Sequence, residues 1–289
     1  MSTRFLNAAL ALALLAAPAL IPPPITSPAM AQGIGADTGK GLPIAVDADQ
    51  AIEWHQEQKA YVARGNAVAK RGEVTISGDT LVAYYRDVPT GGTEIFRLAA
   101  DGKVHIFTPA QNVYGERAVY DVDKKVAVVT GSNLKLVTPT DVVTARDSLE
   151  YWESQNLAVA RGDAIAIRAQ NRVNADILVG LFAEAPGGAL EMTRIDAQGN
   201  VVITTPSDVA RGQQGVYNLK TNIATLTGDV RLTRGDNHLN GQTAEVNMNT
   251  GISRLLSTGD RTGGRVRGLF VPGQAPGGAG TPTTGGSPN

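Results

Sequence analysis

The chain of 289 residues contains no cysteine. Disulfide bonds, thiol catalysis and cysteine-ligated metal or iron–sulfur centres are therefore excluded, and stability must come from burial and strand pairing. Aromatic residues make up only 5% of the sequence, which predicts a thin core filled by valine, isoleucine, leucine and alanine. The formal net charge is −1, so the composition gives no indication of a nucleic-acid partner.

Residues that could carry catalysis are also scarce. The three histidines, His55, His105 and His238, have no second metal-type ligand at a repeated strand spacing. Asp121 and Asp123 flank a turn but lack the recurring oxygen-rich loop of a calcium-binding β-roll. Neither a Gly-x-Ser-x-Gly elbow nor a Walker A loop occurs. The sequence therefore predicts a protein that is not an enzyme and that holds no cofactor and no metal.

The N-terminus has the three parts of a secretory signal. Arg4 precedes an apolar run over residues 5–21, and residues 29–31 (Ala-Met-Ala) supply a small-x-small cleavage site. We expect residues 1–31 to be a signal peptide that is removed on export. A retained membrane anchor is the alternative, although a run of about 17 residues is at the short end for a spanning helix and prolines follow it.

A repeat of 97 residues organises the rest of the chain. Glycines of a first set have a glycine 97 positions later, in the pairs Gly65–Gly162, Gly102–Gly199, Gly131–Gly228 and Gly162–Gly259. Flanking residues follow the same shift, as in Val62-Ala63-Arg64-Gly65 and Val159-Ala160-Arg161-Gly162. Residues 48–144 and 145–241 are therefore tandem copies, and residues 242–260 begin a partial third copy.

The segments around these glycines alternate at period two, which indicates β-strands and not helices. Residues 104–107 (Val-His-Ile-Phe) and 164–167 (Ala-Ile-Ala-Ile) are examples. A small polar residue follows several of the glycines, and such a Gly-Asx pair is typical of a tight turn or bulge. The repeat predicts an all-β, elongated, solenoid-like roll that continues across residues 144 and 145, because no linker separates the copies. Its end strands are open to pairing with another chain or a second copy.

Aromatic residues recur eleven positions before four of the glycines, which predicts structural stacking at one place in the repeat; they are Trp54, Tyr120, Tyr151 and Tyr217. The ends of the mature chain have a different composition. Residues 32–43 are glycine-rich and are predicted to be a flexible linker, and residues 261–289, rich in glycine, proline and threonine, a disordered tail. The folded region is predicted to cover residues 44–260.

Short motifs in both copies resemble the OstA/LptA family. The first copy carries Ala48-Asp49-Gln50-Ala51-Ile52-Glu53, Ala63-Arg64-Gly65-Asn66-Ala67-Val68 and Ile76-Ser77-Gly78-Asp79-Thr80-Leu81-Val82-Ala83-Tyr84-Tyr85, with Gly78 where the family commonly has alanine. The second copy carries Ala145-Arg146-Asp147-Ser148, Gly162-Asp163-Ala164-Ile165 and Ala175-Asp176-Ile177-Leu178. The resemblance extends over most of residues 44–260.

The resemblance implies a twisted β-jellyroll that is open along one side. It further implies that the acyl chains of lipopolysaccharide lie in an apolar groove of this roll, and that the protein is a periplasmic bridge for lipopolysaccharide between the inner and the outer membrane. The implied partners are LptC-like and LptD-like proteins, joined through end-to-end strand pairing, with self-assembly as a further possibility.

Candidates for the lipid-binding groove are apolar residues of the alternating strands. In the first copy they are Ile52, Val62, Val68, Ile76, Leu81, Val104, Ile106, Val119, Leu134 and Leu136. In the second copy they are Ile165, Ile167, Leu178, Val201, Ile203, Val216, Leu226, Val230 and Leu232. The residues themselves leave open whether they line an open groove or fill a closed core.

Other functions also fit parts of the pattern. A non-catalytic periplasmic β-solenoid that binds protein or polysaccharide would have the same repeat with a closed core. An assembly factor for the outer membrane that carries no lipid would need only the free strand edges. A periplasmic enzyme would require a polar cleft, and no cluster in the sequence indicates one.

Overall fold

The computed structural model describes residues 44–89, 91–185, 190–206, 208–247, 250, 252–257 and 266–269. These residues form eighteen β-strands and one short 3-10 helix, Glu153–Gln155. The strands are β1 (Ala45–Asp47), β2 (Ala51–His55), β3 (Ala60–Arg71), β4 (Val74–Asp87), β5 (Thr93–Thr108), β6 (Gln111–Asp121), β7 (Val126–Thr130), β8 (Leu134–Val137), β9 (Asp141–Ala145), β10 (Ser148–Trp152), β11 (Leu157–Arg168), β12 (Asn171–Glu184), β13 (Leu190–Thr204), β14 (Val209–Asn218), β15 (Ile223–Arg234), β16 (Asn237–Asn247), β17 (Ile252–Leu256) and β18 (Arg267–Leu269).

The strands follow one another as an antiparallel meander. Each strand from β2 to β6 pairs with the next strand in the chain, as does each strand from β10 to β16. Strands β7 and β10 join the two runs, and all eighteen strands belong to one continuous sheet. The prediction of an all-β, elongated jellyroll is therefore confirmed.

A glycine and the residue after it bend the long strands. In β3, Gly65 and Asn66 have φ angles of +83° and +41°, and pairing with β4 skips from Arg64 to Ala67. This is a β-bulge, which bends a strand and raises its local twist. The same pair of positive φ angles occurs at Gly102-Lys103, Gly162-Asp163, Gly199-Asn200 and Gly228-Asp229. The repeat seen in the sequence is therefore a repeat of bends.

The bends divide the long strands between two facing layers. Sheet I contains β2, β7, β10 and β17 with the adjoining halves of the long strands, such as 60–64 in β3. Sheet II contains β1, β8, β9 and β18 with the other halves, such as 67–71 in β3. We call the line of bends between the sheets the crease, and the opposite open edges of the two sheets the rims.

The junction of the two copies uses shorter strands. The chain leaves sheet I after β7, forms the β8–β9 hairpin in sheet II, and returns to sheet I as β10. Leu134 pairs with Ala145 and Leu149 pairs with Val129. Strand pairing in both sheets therefore runs without a break across the junction between the copies at residues 144 and 145.

Large side chains of sheet I pack onto glycines of sheet II along the crease. A methyl group placed on Gly115 would lie 2.4 Å from Cγ1 of Val129, and one on Gly212 would lie 2.7 Å from Cγ of Leu226. Because carbon atoms in contact normally lie about 3.5–4.0 Å apart, these positions have room for hydrogen only. The absent side chains let the two sheets approach closely and seal the crease.

Three predicted segments fall wholly or largely outside the described residues. The predicted signal peptide, 1–31, and linker, 32–43, lie wholly outside them. Within the predicted tail, Arg267–Leu269 form β18 instead of being disordered, since they pair with His238–Asn240 of β16, a stretch that β17 does not cover. No helix among the described residues has the length and apolar character needed to cross a membrane.

Candidate functional site

The interior between the two sheets is apolar along the whole roll. One row of paired residues in sheet I follows the crease: Ala63, Leu81, Ala100, Ala118, Val129, Leu149, Ala160, Leu178, Ala197, Gly215, Leu226, Ala244 and Leu255. No member of this row is charged. Small and large residues succeed one another along it.

Thirteen of the nineteen predicted groove residues lie on this interior face. The register places them on the same side as the buried core; they are Ile52, Ile76, Leu81, Val104, Ile106, Leu134, Leu136, Leu178, Val201, Ile203, Leu226, Val230 and Leu232. Those nearest the crease are closed to solvent; for example, Val104 is 1% exposed and Leu226 is 0% exposed. That these residues contact lipid stays a prediction.

Six of the predicted groove residues lie on the outer faces of the sheets: Val62, Val68, Val119, Ile165, Ile167 and Val216. In β11 the interior positions are Ala164 and Ala166, which are 0% and 8% exposed, whereas Ile167 is 36% exposed. Alternation shows that neighbouring residues point to opposite faces, but not which face is interior. The expectation that the larger side chain points inward does not hold in this strand.

The sequence pattern did not identify the small interior residues, and for the tyrosines it indicated only structural stacking. Ala67, Ala164 and Ala224 are each 0% exposed. Tyr120 and Tyr217 pair with the interior alanines Ala127 and Ala224, so their rings point between the sheets. The recurrence of the aromatics 97 residues apart was the signal that could have identified them as interior residues.

The interior is exposed at the N-terminal end of the roll. Three side chains that lie on the interior side of their strands are exposed to solvent: Ile52 by 61%, Trp54 by 58% and Tyr61 by 40%. The rings of Trp54 and Tyr61 stack with centroids 6.0 Å apart, and Trp54 Nε1 donates a hydrogen bond to the Tyr85 hydroxyl at 2.7 Å. These aromatic residues hold one another in place, so an ordered apolar surface faces solvent at this end.

The rim of sheet II carries ion pairs beside the apolar interior. Arg168 donates from Nε and Nη2 to the two carboxylate oxygens of Asp141, at 2.5 and 2.6 Å. Arg234 makes the equivalent pair of bonds to Asp208, at 2.5 and 2.8 Å. Such two-point pairs fix the orientation of the guanidinium plane as well as its position. The polar rim is therefore ordered, in contrast to the apolar interior it borders.

Two interior tyrosines of sheet I donate hydrogen bonds through their hydroxyl groups. The Tyr217 hydroxyl donates to Asn222 at 2.5 Å. The Tyr120 hydroxyl donates to Glu153 at 3.0 Å. Burial and the negative charge of Glu153 raise the pKa of Tyr120, and the positive charge of Arg71 opposes the rise. Burial also raises the pKa of Tyr217, and Arg168 opposes that rise.

Other candidate sites do not belong to the interior. A depression of about 520 Å³ lies on the outer face near the C-terminal end, where Thr233, His238 and Leu269 contribute to its wall. Within the part of the chain that the structure describes, no group of three histidine, aspartate or glutamate residues is arranged to hold a metal ion. The apolar interior with its polar rim is therefore the candidate site.

Comparison with known proteins places the chain in a family. The model of the family described as "LptA/(LptD N-terminal domain) LPS transport protein" matches residues 45–147 and again residues 143–252, one match for each copy. An uncharacterized protein of Rhizobium meliloti (strain 1021) is 26% identical over 140 residues, which cover 46% of this chain and 73% of that protein.

Among solved structures, the crystal structure of LptH, the LptA homologous periplasmic component of the lipopolysaccharide transport device of Pseudomonas aeruginosa, is 12% identical to this chain. The match covers 81% of this chain and 99% of LptH, with a TM-score of 0.21. The two family matches together span more than two thirds of the chain. The chain therefore belongs to the LptA/LptD N-terminal domain family of lipopolysaccharide transport proteins.

Proposed function

We propose that the protein is a periplasmic bridge that binds lipopolysaccharide and shields its acyl chains between the two sheets during transport from the inner to the outer membrane. The observation that carries the proposal is the uninterrupted apolar interior. It extends over fourteen strands of sheet I, which at about 4.8 Å per strand gives a length of about 60 Å.

The physical benefit of such an interior is large. Each methylene group kept from water contributes about 0.8 kcal/mol, so exposing several acyl chains would cost tens of kcal/mol. An apolar surface of similar character along its length removes this cost without a chemical step. It also avoids a single strong site that would trap the lipid, because the rows contain small and β-branched residues and no charge near the crease.

The packing supports a position for the lipid near the rims. Side chains at the crease are closed to solvent and locked against glycines, so acyl chains would lie nearer the rims. Ile76 and Leu136, in the second interior row of sheet II, are partly buried and pack against the core. The exposed interior residues at the N-terminal end, Ile52, Trp54 and Tyr61, form the proposed entrance.

The partners are proposed from the free strand edges. Strand β2 pairs with β3 alone and β17 with β16 alone among the described residues. Unpaired edges accept a further strand from another chain. We propose that LptC-like and LptD-like proteins, or further copies of this chain, add strands here and so extend the interior.

Photo-crosslinking in cells tests the function, because neighbouring residues of one strand point to opposite faces. A photoreactive amino acid would replace Ile76 or Leu136, which face the interior, and Thr75 or Lys135, their outward-facing neighbours, as matched controls. We expect lipopolysaccharide adducts at the interior positions and not at the controls. Equal labelling of both faces, or no lipid adduct at any position, would contradict lipid transport and favour a protein scaffold.

A further inference from the structure

The outer face of sheet II carries two arginines directly opposite each other near the C-terminal end of the roll. Ala210 and Val230 are 1% and 0% exposed and belong to the core. Alternation therefore places their neighbours, Arg211 of β14 and Arg231 of β15, on the outer face. These two arginines are paired across the two strands, and both are exposed.

The basic surface extends to both sides of this pair. Asn240 of β16 pairs with Arg231 and also with Arg267 of β18, so Arg267 lies on the same outer face. In β12, Arg172 points outward because Val173 beside it is in the buried core. We call the outer face of sheet II between β12 and β18 the basic face; its arginines are Arg172, Arg211, Arg231 and Arg267, and all four are exposed.

The basic face differs in charge from the outer face of sheet I. There Arg161 forms an ion pair with Glu150 at 2.7 Å, and Arg194 forms one with Asp196 at 2.6 Å. The outward residues paired between β12 and β18 in sheet II include no aspartate and no glutamate. Among the described residues, no carboxylate forms an ion pair with an arginine of the basic face.

Like charges directly opposite each other in neighbouring strands destabilise a sheet. The row of arginines therefore does not serve the folded state of this chain, and it indicates an anionic partner outside it. Arg211 and Arg267 are three strand-to-strand steps apart, which at about 4.8 Å per step gives about 14 Å. A row of this length on a sheet face suits several anionic groups side by side better than one small anion.

Exposed apolar side chains border the basic face at its C-terminal end. Leu269 pairs with His238 on the outer face and is 60% exposed, and Val266, next to Arg267, is 43% exposed. Cations beside exposed apolar side chains are typical of surfaces that bind anionic bilayers. The cations are attracted to the headgroups, and the apolar side chains enter the boundary with the acyl chains. A soluble polyanion would leave Leu269 in water.

We propose that the basic face is a docking surface for an anionic lipid bilayer, with Arg211, Arg231 and Arg267 on headgroup phosphates and Leu269 at the boundary with the acyl chains. This inference goes beyond the proposed function, because the basic face is the side of sheet II that points away from the interior. It places the C-terminal half of the roll against a membrane surface.

The test is co-sedimentation of the protein with vesicles of phosphatidylcholine alone or with vesicles that also contain phosphatidylglycerol. Neither vesicle contains lipopolysaccharide. The protein is purified after export, and mass spectrometry verifies that all variants have the same N-terminus. The test variants are Arg231→Gln, the double change Arg211→Gln with Arg231→Gln, and Leu269→Ser.

Arg254→Gln is the matched control. Arg254 is exposed in β17 at the same end of the roll, but it lies on the outer face of sheet I, because its neighbour Leu255 packs against the core. The control therefore removes the same charge from the other sheet. Since the arginine variants relieve repulsion between like charges, their melting temperatures should equal or exceed that of the wild type, which shows that they are folded.

We expect the wild type to bind the anionic vesicles and not the neutral ones, and to bind more weakly as salt increases. An arginine near an anionic surface contributes about 1 kcal/mol, so Arg231→Gln should weaken binding about fivefold and the double variant about thirtyfold. Leu269→Ser should weaken it at least threefold, and Arg254→Gln should leave it unchanged.

Several outcomes would overturn the inference. They are equal binding to both kinds of vesicle, an equal loss in Arg254→Gln, and unchanged affinity in Leu269→Ser. Release of the protein by millimolar inorganic phosphate at constant ionic strength would identify a site for a free anion instead. Absence of vesicle binding by the wild type would exclude a bilayer and leave an acidic protein as the partner of this face.

The inference and the proposed function fail separately. If no vesicle binds but lipopolysaccharide adducts form at Ile76 and Leu136, bilayer docking is refuted and lipid shielding stands. If the anionic vesicles bind as expected but no adduct forms at the interior positions, the docking surface stands and lipid shielding is refuted.

Discussion

Replacing Gly212 with alanine tests whether the crease is held by the packing of sheet I side chains onto glycine. The added methyl group would lie 2.7 Å from Cγ and 3.0 Å from Cδ1 of Leu226. Since normal carbon contacts are about 3.5–4.0 Å, Leu226 would have to move by about 1 Å. Leu226 is 0% exposed and lies in the core cluster, so it has little room to do so.

The expected change in the free energy of unfolding follows from two opposing contributions. Overpacking a closed core costs about 1–3 kcal/mol. Replacing glycine by alanine also reduces the entropy of the unfolded chain and gains about 0.4–1 kcal/mol. We therefore expect Gly212→Ala to lower the free energy of unfolding by about 1–2 kcal/mol.

Gly215→Ala is the matched control in the same strand. Its methyl group would lie 3.6 Å from Ala197, Val201 and Leu226, which is an ordinary contact. Here only the gain from the unfolded state remains, so stability should be unchanged or should rise by a few tenths of a kcal/mol. The two alanine variants should thus differ by about 2 kcal/mol although they add the same group to the same face.

The measurement is urea unfolding followed by far-ultraviolet circular dichroism, with the slope of the transition checked for constancy between variants. The double variant Gly212→Ala with Leu226→Ala should cost at least 1 kcal/mol less than the sum of the two single changes, because the cavity accommodates the new methyl group. Equal stability of Gly212→Ala and Gly215→Ala, or strict additivity in the double variant, would refute the reasoning.

Two further predictions concern the bends and a partly buried carboxylate. Gly102→Ala should destabilise by about 1–3 kcal/mol, because φ is +78° and the methyl group would lie 2.3 Å from Asp79 Oδ2; a melting temperature equal to that of wild type would contradict this. Burial alone would raise the pKa of Glu150, but hydrogen bonds from Arg161, Trp152 and Ser148 lower it. The contribution of Glu150 to the stability of the folded state is therefore present above about pH 4.5, and it is lost as the pH falls through the lowered pKa. Glu150→Gln should cost about 1 kcal/mol at pH 7 and less at pH 3, and a pH-independent difference would exclude this explanation.

The sequence pattern did not place every candidate groove residue on the correct face of its strand, for a definite reason. Thirteen candidates lie on the interior face, and the six that do not are in strands with apolar residues on both faces. In β11, Ile165 and Ile167 are the more apolar choice, yet Ala164 and Ala166 face the core. Facing layers that approach closely favour small side chains, so size was a misleading guide to burial there.

The sequence by itself determined the local structure of this protein. Alternation defined the strands, and the glycines spaced 97 residues apart located the bends, because only glycine adopts a positive φ angle without strain. Tertiary structure alone decided which face of each strand became interior and which residues meet across the crease, such as Gly212 and Leu226. Both the interior face and the contacts across it depend on how the two bent sheets approach each other. A contact between the sheets leaves no mark in the local alternation that defines a strand.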